Sequence, residues 1–195
     1  RRAALRLGLV DHALPLEEAV AVADWIVLAV PVDAIVRLLP RILDAVTARQ
    51  TVVDMGSTKQ AVVAAVRDHP NRARFVAAHP MAGTEKSGPA AAMEGLFDGR
   101  IAILCDTEAS APDAVAAAER LFTAGLGMSL VTMDAARHDL HAAYVSHLSH
   151  VISYALALTT LDKERDEEAL FSLAGGGFAS TVRLAKSDAA MWEPI

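Results

Sequence analysis

The feature that most constrains the fold is an alternation of short apolar runs with segments of helical period over the first two thirds of the chain. Continuous apolar runs are typical of strands buried in a parallel sheet, and apolar residues every three or four positions are typical of helices packed on it. The pattern predicts strands at residues 25–30, 51–55, 74–78, 101–105 and 128–132. It predicts helices at residues 32–48, 59–67 and 112–124. These elements together indicate a mostly parallel α/β sheet covered on both faces.

The pattern changes at Asp134, after which no strand is predicted. Asp134 is a suitable N-cap for a long helix that runs to about Leu161. Three glycines at 175–177 then interrupt the chain before a further helix through Lys186. We therefore predict two domains, an α/β domain at residues 1–133 and an all-α domain at residues 134–195.

Composition excludes several classes of protein. The formal net charge of −6 argues against a nucleic-acid partner, because phosphate binding requires a basic face. The longest apolar stretch, residues 144–161, is interrupted by serines and histidines and does not predict a membrane span. The one cysteine, Cys105, lies in an apolar run and is expected to be a buried, reduced thiol. A cytoplasmic location is the corresponding prediction.

Polar residues follow two of the predicted strands. Ser57 comes after the second strand, and His79 comes after the third, followed by Thr84 and Glu85. Ligands of open parallel sheets bind at the carboxyl ends of the strands, so these residues are expected to face one crevice. A lone histidine at a strand end is more often structural, but its companions favour a proton-accepting role for His79.

The helical part adds further candidates. His147 and His150 lie three residues apart and should share a helix face; no third ligand has matching spacing, so no metal site is predicted. His138 and His141 have the same spacing, but they lie among charged residues and are interpreted as solvated. Arg183 follows the glycines and could bind a carboxylate through two parallel hydrogen bonds, or be an exposed helix charge.

Five segments in this order resemble the prephenate and arogenate dehydrogenase family over essentially the whole chain. The most specific of them is His79-Pro80-Met81-Ala82-Gly83-Thr84-Glu85-Lys86-Ser87-Gly88. The others are Leu28-Ala29-Val30-Pro31, Asp54-Met55-Gly56-Ser57-Thr58-Lys59, Ser146-His147-Leu148-Ser149-His150, and Gly175-Gly176-Gly177-Phe178 continuing through Arg183 to Met191-Trp192. The resemblance implies a Rossmann-like nucleotide-binding domain followed by a helical domain that binds substrate and pairs two subunits.

The resemblance also implies an activity and residue roles. The activity is the oxidative decarboxylation of prephenate to 4-hydroxyphenylpyruvate in tyrosine biosynthesis, with NAD, or alternatively NADP, as cofactor. It assigns proton acceptance to His79, with Ser57 orienting its ring. The implied substrate-binding residues are Arg183, His147, His150, Thr84, Glu85, Gly176 and Trp192. The implied cofactor-binding residues are Ala29, Val30, Pro31, Gly56 and Ser57.

The chain departs from the family pattern at three places. The glycine-rich turn for the pyrophosphate and the acidic residue for the ribose are missing, so we expect a first βαβ unit upstream of Arg1. The family continues past Ile195 into helices that pair subunits, so a homodimer is expected for the full-length protein. Ser180 occupies a position where some relatives carry an acid, which favours prephenate over arogenate.

Three other interpretations stay open. An arogenate dehydrogenase differs only in substrate, whereas a different hydroxyacid dehydrogenase of similar architecture would leave the His79–Gly88 segment unexplained. A non-catalytic fragment is the third, because part of the cofactor domain is absent. Calorimetry that measures NAD binding would distinguish a non-catalytic fragment from the two enzymes. A fusion to chorismate mutase would need a helical domain that this sequence does not contain.

Overall fold

Five strands form one sheet in the order β1-β2-β3-β4-β5 in this computed structural model, which describes residues 2–84, 88–167 and 169–187. The strands are β1 (Trp25–Leu28), β2 (Thr51–Asp54), β3 (Phe75–Pro80), β4 (Ile101–Cys105) and β5 (Ser129–Met133). Pairs β1–β2, β2–β3 and β4–β5 are parallel, and β3–β4 is antiparallel. The predicted mostly parallel sheet is therefore confirmed, with one reversal at its centre.

An α-helix separates β1 from β2, β2 from β3, and β4 from β5, and helices continue alone after β5. The α-helices of the described residues are α1 (Arg2–Arg6), α2 (Leu16–Val22), α3 (Val32–Ala45), α4 (Gln60–Ala64), α5 (Pro112–Arg120), α6 (Ala135–Ala142), α7 (Leu148–Glu164) and α8 (Gly176–Thr181). A π-helical turn, Ala143–His147, joins α6 to α7. Short 3₁₀ turns occur at Arg72–Arg74, Pro89–Ala91, Thr107–Ala109, Leu170–Leu173 and Val182–Lys186. Asp134 caps α6 as predicted, accepting a hydrogen bond from the Arg137 N–H at 2.7 Å.

Both faces of the sheet are covered by apolar packing. On one face the stripe of α3 packs on β1, β2 and β3, and Ala135 of α6 joins the same core. Ile35, Leu39 and Leu43 of this stripe have no solvent exposure, and full burial of one such side chain contributes about 1.5–3 kcal/mol. On the other face, α5 packs against β2, β3 and β4. Side chains alternate along β3, so His79 lies on the first face with Ala77.

Two predicted boundaries were wrong in ways that affect the site. β1 ends at Leu28, so residues 29 and 30 belong to an exposed loop with Pro31 instead of ending the strand. β3 continues through Pro80, so His79 lies inside a strand and not in the loop after it. The reason is β4, which pairs antiparallel with β3 and places Ile103 opposite His79. The direction of β4 is not encoded in its apolar composition, so the sequence pattern could not reveal this extension.

Two further expectations concern the state of Cys105 and the presence of membrane-spanning helices. Cys105 is a buried, free thiol as predicted, and burial raises its pKa to about 12. Across the residues that the structure describes, no helix combines the length and apolar character needed to cross a membrane.

Candidate active site

A buried ion pair joins the carboxyl end of β2 to β3. Asp54 is the last residue of β2 and Lys59 directly precedes α4, and both side chains are fully inaccessible to solvent. Lys59 Nζ donates hydrogen bonds to the Asp54 carboxylate and, at 2.7 Å, to the Ala78 carbonyl oxygen. Asp54 accepts hydrogen bonds from the backbone N–H groups of Ala78 at 3.0 Å and Gly56 at 2.9 Å.

The ion pair replaces a strand partner for β3. The paired register of β2 and β3 runs from Val52↔Phe75 to Val53↔Val76 and does not reach Ala78. Buried backbone N–H and C=O groups need partners, and the Asp54 carboxylate and the Lys59 ammonium supply them here. His79 follows Ala78 directly, so this ion pair fixes the backbone that carries the His79 ring.

The His79 ring is held by a second histidine. His79 Nδ1 lies 2.9 Å from His138 Nε2, and the two rings meet edge to face with centroids 5.1 Å apart. His138 has no solvent exposure, and its Nδ1 lies 2.8 Å from Asp139 Oδ1. The interpretation of His138 as a solvated residue was therefore wrong, whereas His141 is exposed as predicted.

Asp139 connects these histidines to the start of α4. Its carboxylate accepts hydrogen bonds from the backbone N–H groups of Lys59 at 2.7 Å and Gln60 at 2.9 Å. Burial acts to raise the pKa of Asp139, but the hydrogen bonds from His138, Gln60 and Lys59 outweigh it and hold the pKa below its usual value. Asp139 is therefore ionised at neutral pH.

The surroundings of His79 keep its ring neutral. Burial, the Lys59 ammonium, and the nearby His138 and His147 lower its pKa to about 3, with Asp139 acting in the opposite direction. No hydrogen bond between described residues involves the remaining ring nitrogen, Nε2. A neutral imidazole with one nitrogen available can accept a proton from a bound hydroxyl.

His147 and His150 lie on the helical side of the same region. His147 ends the π-helical turn and His150 lies in the first turn of α7, where its Nδ1 is 3.1 Å from the Ser146 carbonyl oxygen. Burial lowers the pKa of His147, which is within electrostatic reach of Asp139, His138 and His150. His147 thus lies within electrostatic reach of His79, and its role in lining a substrate pocket stays a prediction. No three His, Cys, Asp or Glu side chains of the described residues are grouped so that they could hold a metal ion.

Arg183 is carried by a short segment that docks on α7. The segment Val182–Lys186 is held by a hydrogen bond from the Ala185 N–H to Ser153 Oγ at 3.0 Å. The Tyr154 hydroxyl donates to the Ser187 carbonyl oxygen, also at 3.0 Å. Arg183 is exposed, and Gly176 begins α8 immediately before this segment. The binding roles of both residues remain predictions.

The candidate cofactor loops lie side by side at the carboxyl ends of β1 and β2. The Met55 N–H donates to the Leu28 carbonyl oxygen at 3.0 Å, which places residues 55–57 beside residues 29–31. A Cβ at Gly56 would lie 2.9 Å from Asp54 Oδ2, so a side chain there would displace the buried carboxylate. Ser57 is partly buried. The hydrogen bond that orients the His79 ring joins it to His138, and the expected contribution of Ser57 to that orientation stays a prediction.

Two residues of the predicted site lie outside the described part of the chain, Glu85 and Trp192. Thr84, just past β3, is exposed. The residues of this hydrogen-bonded cluster that sequence reasoning missed are Asp54, Lys59, His138 and Asp139. A signal for His138 was available: Ala135, His138 and Ala142 recur at helical spacing and form the buried face of α6.

The fold and this cluster define a class: proteins with an α/β nucleotide-binding domain followed by a helical domain, and with a buried histidine where the two meet. A family model described as prephenate dehydrogenase, nucleotide-binding domain, matches residues 1–130. A second, described as prephenate dehydrogenase, dimerization domain, matches residues 134–195. The chain belongs to the prephenate dehydrogenase family.

Individual relatives agree with this assignment. A prephenate dehydrogenase of Bacillus subtilis (strain 168) is 34% identical over 196 residues, which cover 99% of this chain and 53% of that protein. The chain thus spans about half the length of that curated relative. The crystal structure of prephenate dehydrogenase from A. aeolicus in complex with hydroxyphenyl propionate and NAD+ superposes with a TM-score of 0.84 at 31% identity, covering 99% of this chain and 68% of that one. Synechocystis arogenate dehydrogenase gives 0.73 at 29% identity, covering 97% and 68%.

The buried ion pair leads to a stability prediction. Replacing Lys59 by methionine should lower the free energy of unfolding by about 3–5 kcal/mol, because it leaves the Asp54 charge buried without its partner. The control is Lys163→Met, since Lys163 is exposed and lies 3.8 Å from Asp166; we expect a change of about 0–1 kcal/mol. Urea unfolding of both variants measures the difference. Equal stabilities would contradict the structural role of Lys59.

The lowered pKa of His79 leads to a pH prediction. Below the unfolded-state pKa of ~6.5, the unfolded chain binds a proton that folded His79 does not, so stability falls as pH drops from ~6.5 towards 3. His147, whose pKa is also lowered, contributes in the same direction. Urea unfolding midpoints at pH 7 and 4.5 should therefore differ less in His79→Asn than in the wild type. The exposed control His141→Asn should keep the wild-type difference, and a full difference in His79→Asn would refute the prediction.

Proposed function

We propose that this chain provides the substrate-binding and proton-accepting part of an NAD(P)-dependent prephenate dehydrogenase, which converts prephenate to 4-hydroxyphenylpyruvate. The observation that carries the proposal is His79, a ring kept neutral, anchored through Nδ1 and left with Nε2 to accept a proton. Support also comes from the family and from relatives named for this activity.

The reaction requires one base and good positioning. His79 accepts the proton of the ring hydroxyl, which makes loss of a hydride from the same carbon easier. Loss of the ring carboxylate as carbon dioxide then makes the ring aromatic, and the proton returns from His79 to the oxygen. Aromatisation supplies a large driving force, so the protein contributes mainly orientation and charge complementarity.

The cofactor role falls to the loops after β1 and β2. Ala29, Val30 and Pro31 are exposed beside Gly56 and partly buried Ser57, at the sheet edge where nucleotides bind in such folds. A bound NAD(P) supplies the hydride acceptor. In support of this assignment, the A. aeolicus relative was crystallised with NAD+. These backbone segments would position the nicotinamide ring near His79.

The substrate carries two carboxylates, which this acidic chain must bind with local cations. Arg183 is the candidate for one of them, and His147 and His150 would line the pocket together with Thr84 and Gly176. The family resemblance adds Glu85 and Trp192 to this wall. Ser180 lacks the charge needed to bind the amino group of arogenate, and its hydroxyl donates to the Gly177 carbonyl oxygen at 2.9 Å. We therefore expect a higher kcat/KM for prephenate than for arogenate.

The full-length protein would act as a homodimer in the cytoplasm. Several large apolar side chains of α7 are exposed, among them Val151, Ile152, Leu158 and Leu161. Val151, Leu158 and Leu161 recur at helical spacing, and exposed apolar patches mark association sites. The family model that matches this part of the chain is described as a dimerization domain, which supports the same conclusion.

Replacing the base tests the proposed function directly. His79→Asn should lower kcat by ~10²–10⁴, because the hydroxyl proton loses its acceptor, while the Kd for NAD+ stays nearly unchanged. The assay follows NADH absorbance with prephenate in the full-length enzyme, and calorimetry measures NAD+ binding. His141→Asn is the control and should retain wild-type turnover. Near-normal turnover in His79→Asn would overturn the assignment.

The predicted carboxylate contact has its own signature. Arg183→Ala should raise the KM for prephenate by ~10-fold or more and change kcat less, because it removes a charge-assisted contact made in the bound substrate as well as in the transition state. The same steady-state assay over a range of prephenate concentrations measures it. An unchanged KM would remove Arg183 from the binding site.

A further inference from the structure

The hydrogen-bond chain from Asp139 to His79 has a fixed direction. The ionised Asp139 carboxylate can only accept, and it already accepts from the backbone at Lys59 and Gln60. His138 must therefore present Nδ1–H to Asp139, which leaves its Nε2 as an acceptor when the ring is neutral. His79 must in turn carry its own proton on Nδ1 to bond His138. Its Nε2 then holds a lone pair facing away from His138.

The same heavy atoms also fit a second arrangement of protons. If His138 carries protons on both nitrogens, it donates to Asp139 through Nδ1 and to His79 through Nε2. His79 then accepts at Nδ1 and carries its own proton on Nε2. Both arrangements use the 2.8 Å and 2.9 Å contacts unchanged. The second arrangement holds one proton more than the first: a proton is added at His79 Nε2, and the proton between the rings moves from His79 Nδ1 to His138 Nε2. Neither change requires movement of a side chain.

We propose that Asp139 and His138 are positioning residues that set the tautomer of His79 and take over the positive charge when His79 accepts the substrate proton. This inference rests on the proposed function, in which the ring hydroxyl of the substrate is the source of the proton. The substrate hydroxyl gives its proton to His79 Nε2, and the Nδ1 proton of His79 passes to His138 Nε2. No atom is gained or lost, and the protons return along the same path once the phenol oxygen has formed.

Electrostatics favours moving the charge away from His79. His79 faces the Lys59 ammonium from the start of α4 and His147 from the π-helical turn, and both disfavour a cation on its ring. His138 lies directly beside the Asp139 carboxylate. A cation on His138 therefore forms a buried ion pair, whereas a cation on His79 lies next to a fixed like charge.

Three variants in the full-length enzyme separate the two roles. In Asp139→Asn, the amide either turns its NH₂ towards His138 and reverses the direction of the chain, or turns it towards the Gln60 N–H and leaves that donor without an acceptor. In His138→Gln, the amide oxygen can still accept the His79 Nδ1–H, but the side chain cannot take up a proton. His138→Leu removes both abilities. His141→Gln, on the same helix and exposed, is the matched control.

The expected kinetics are graded. Asp139→Asn should lower kcat by ~10²–10⁴, as expected when a catalytic imidazole is held in the wrong tautomer. His138→Gln should lower kcat by about 10- to 100-fold and His138→Leu by more, since a positioned proton acceptor contributes on this scale. KM for prephenate and for NAD+ should stay within about two-fold, because neither residue is assigned a contact with either ligand. Full activity of His138→Gln would overturn charge transfer, and full activity of Asp139→Asn would overturn tautomer control.

A measurement without substrate keeps this inference separate from the proposed function. In ¹⁵N NMR spectra of histidine-labelled protein at neutral pH, protonated and unprotonated ring nitrogens have different shifts. We expect protons on Nδ1 of both His79 and His138, with a change at both rings in Asp139→Asn and none in His141→Gln. A proton on His79 Nε2 in the resting protein would overturn the inference even if prephenate is turned over. The expected spectrum without turnover would instead refute the proposed substrate.

Discussion

The geometry of the candidate site depends on the buried ion pair between Asp54 and Lys59. Two isolated charges would not be stable in this core, and they are retained because each neutralises the other and because Ala78 and Gly56 provide further hydrogen bonds. Sliding β3 by one residue would break the hydrogen bonds of Asp54 and Lys59 to the Ala78 backbone and leave the two buried charges with fewer polar partners. The ion pair therefore specifies the register of the strand that carries His79 as well as contributing to stability.

The same lysine acts on His79 in two ways. Through the Ala78 carbonyl it fixes the backbone next to the ring, and through its charge it helps to keep the ring neutral. Asp139 acts similarly from the helical side: it caps the start of α4 and orients His138. The local fold and the protonation of His79 therefore depend on the same few side chains.

The sequence predicted the positions of strands and helices well, but it did not predict the direction of β4 or the side-chain hydrogen bonds between distant segments. Apolar periodicity is local, so all five strands and the N-cap Asp134 were found close to their observed positions. Strand direction is not local, and the antiparallel pairing that places His79 inside β3 was missed for that reason. The bonds from His79 to His138 and from Lys59 to Asp139 join residues 59 and 80 positions apart, which no spacing rule covers. Charged neighbours also obscured His138: Arg137 is exposed to solvent, whereas Asp139 is the hydrogen-bond partner of the buried His138 ring.

One consequence of the Asp139 contacts concerns motion. Lys59 and Gln60 lie in the part of the chain matched by the nucleotide-binding model, and Asp139 lies in the part matched by the dimerization model. A hinge between the two parts could open only by breaking both of these bonds together with the one between His79 and His138. An open conformation would therefore lack an oriented base. Such an enzyme would be inactive whenever the hinge is open, so ligand exchange through a hinge and proton transfer would have to alternate in time.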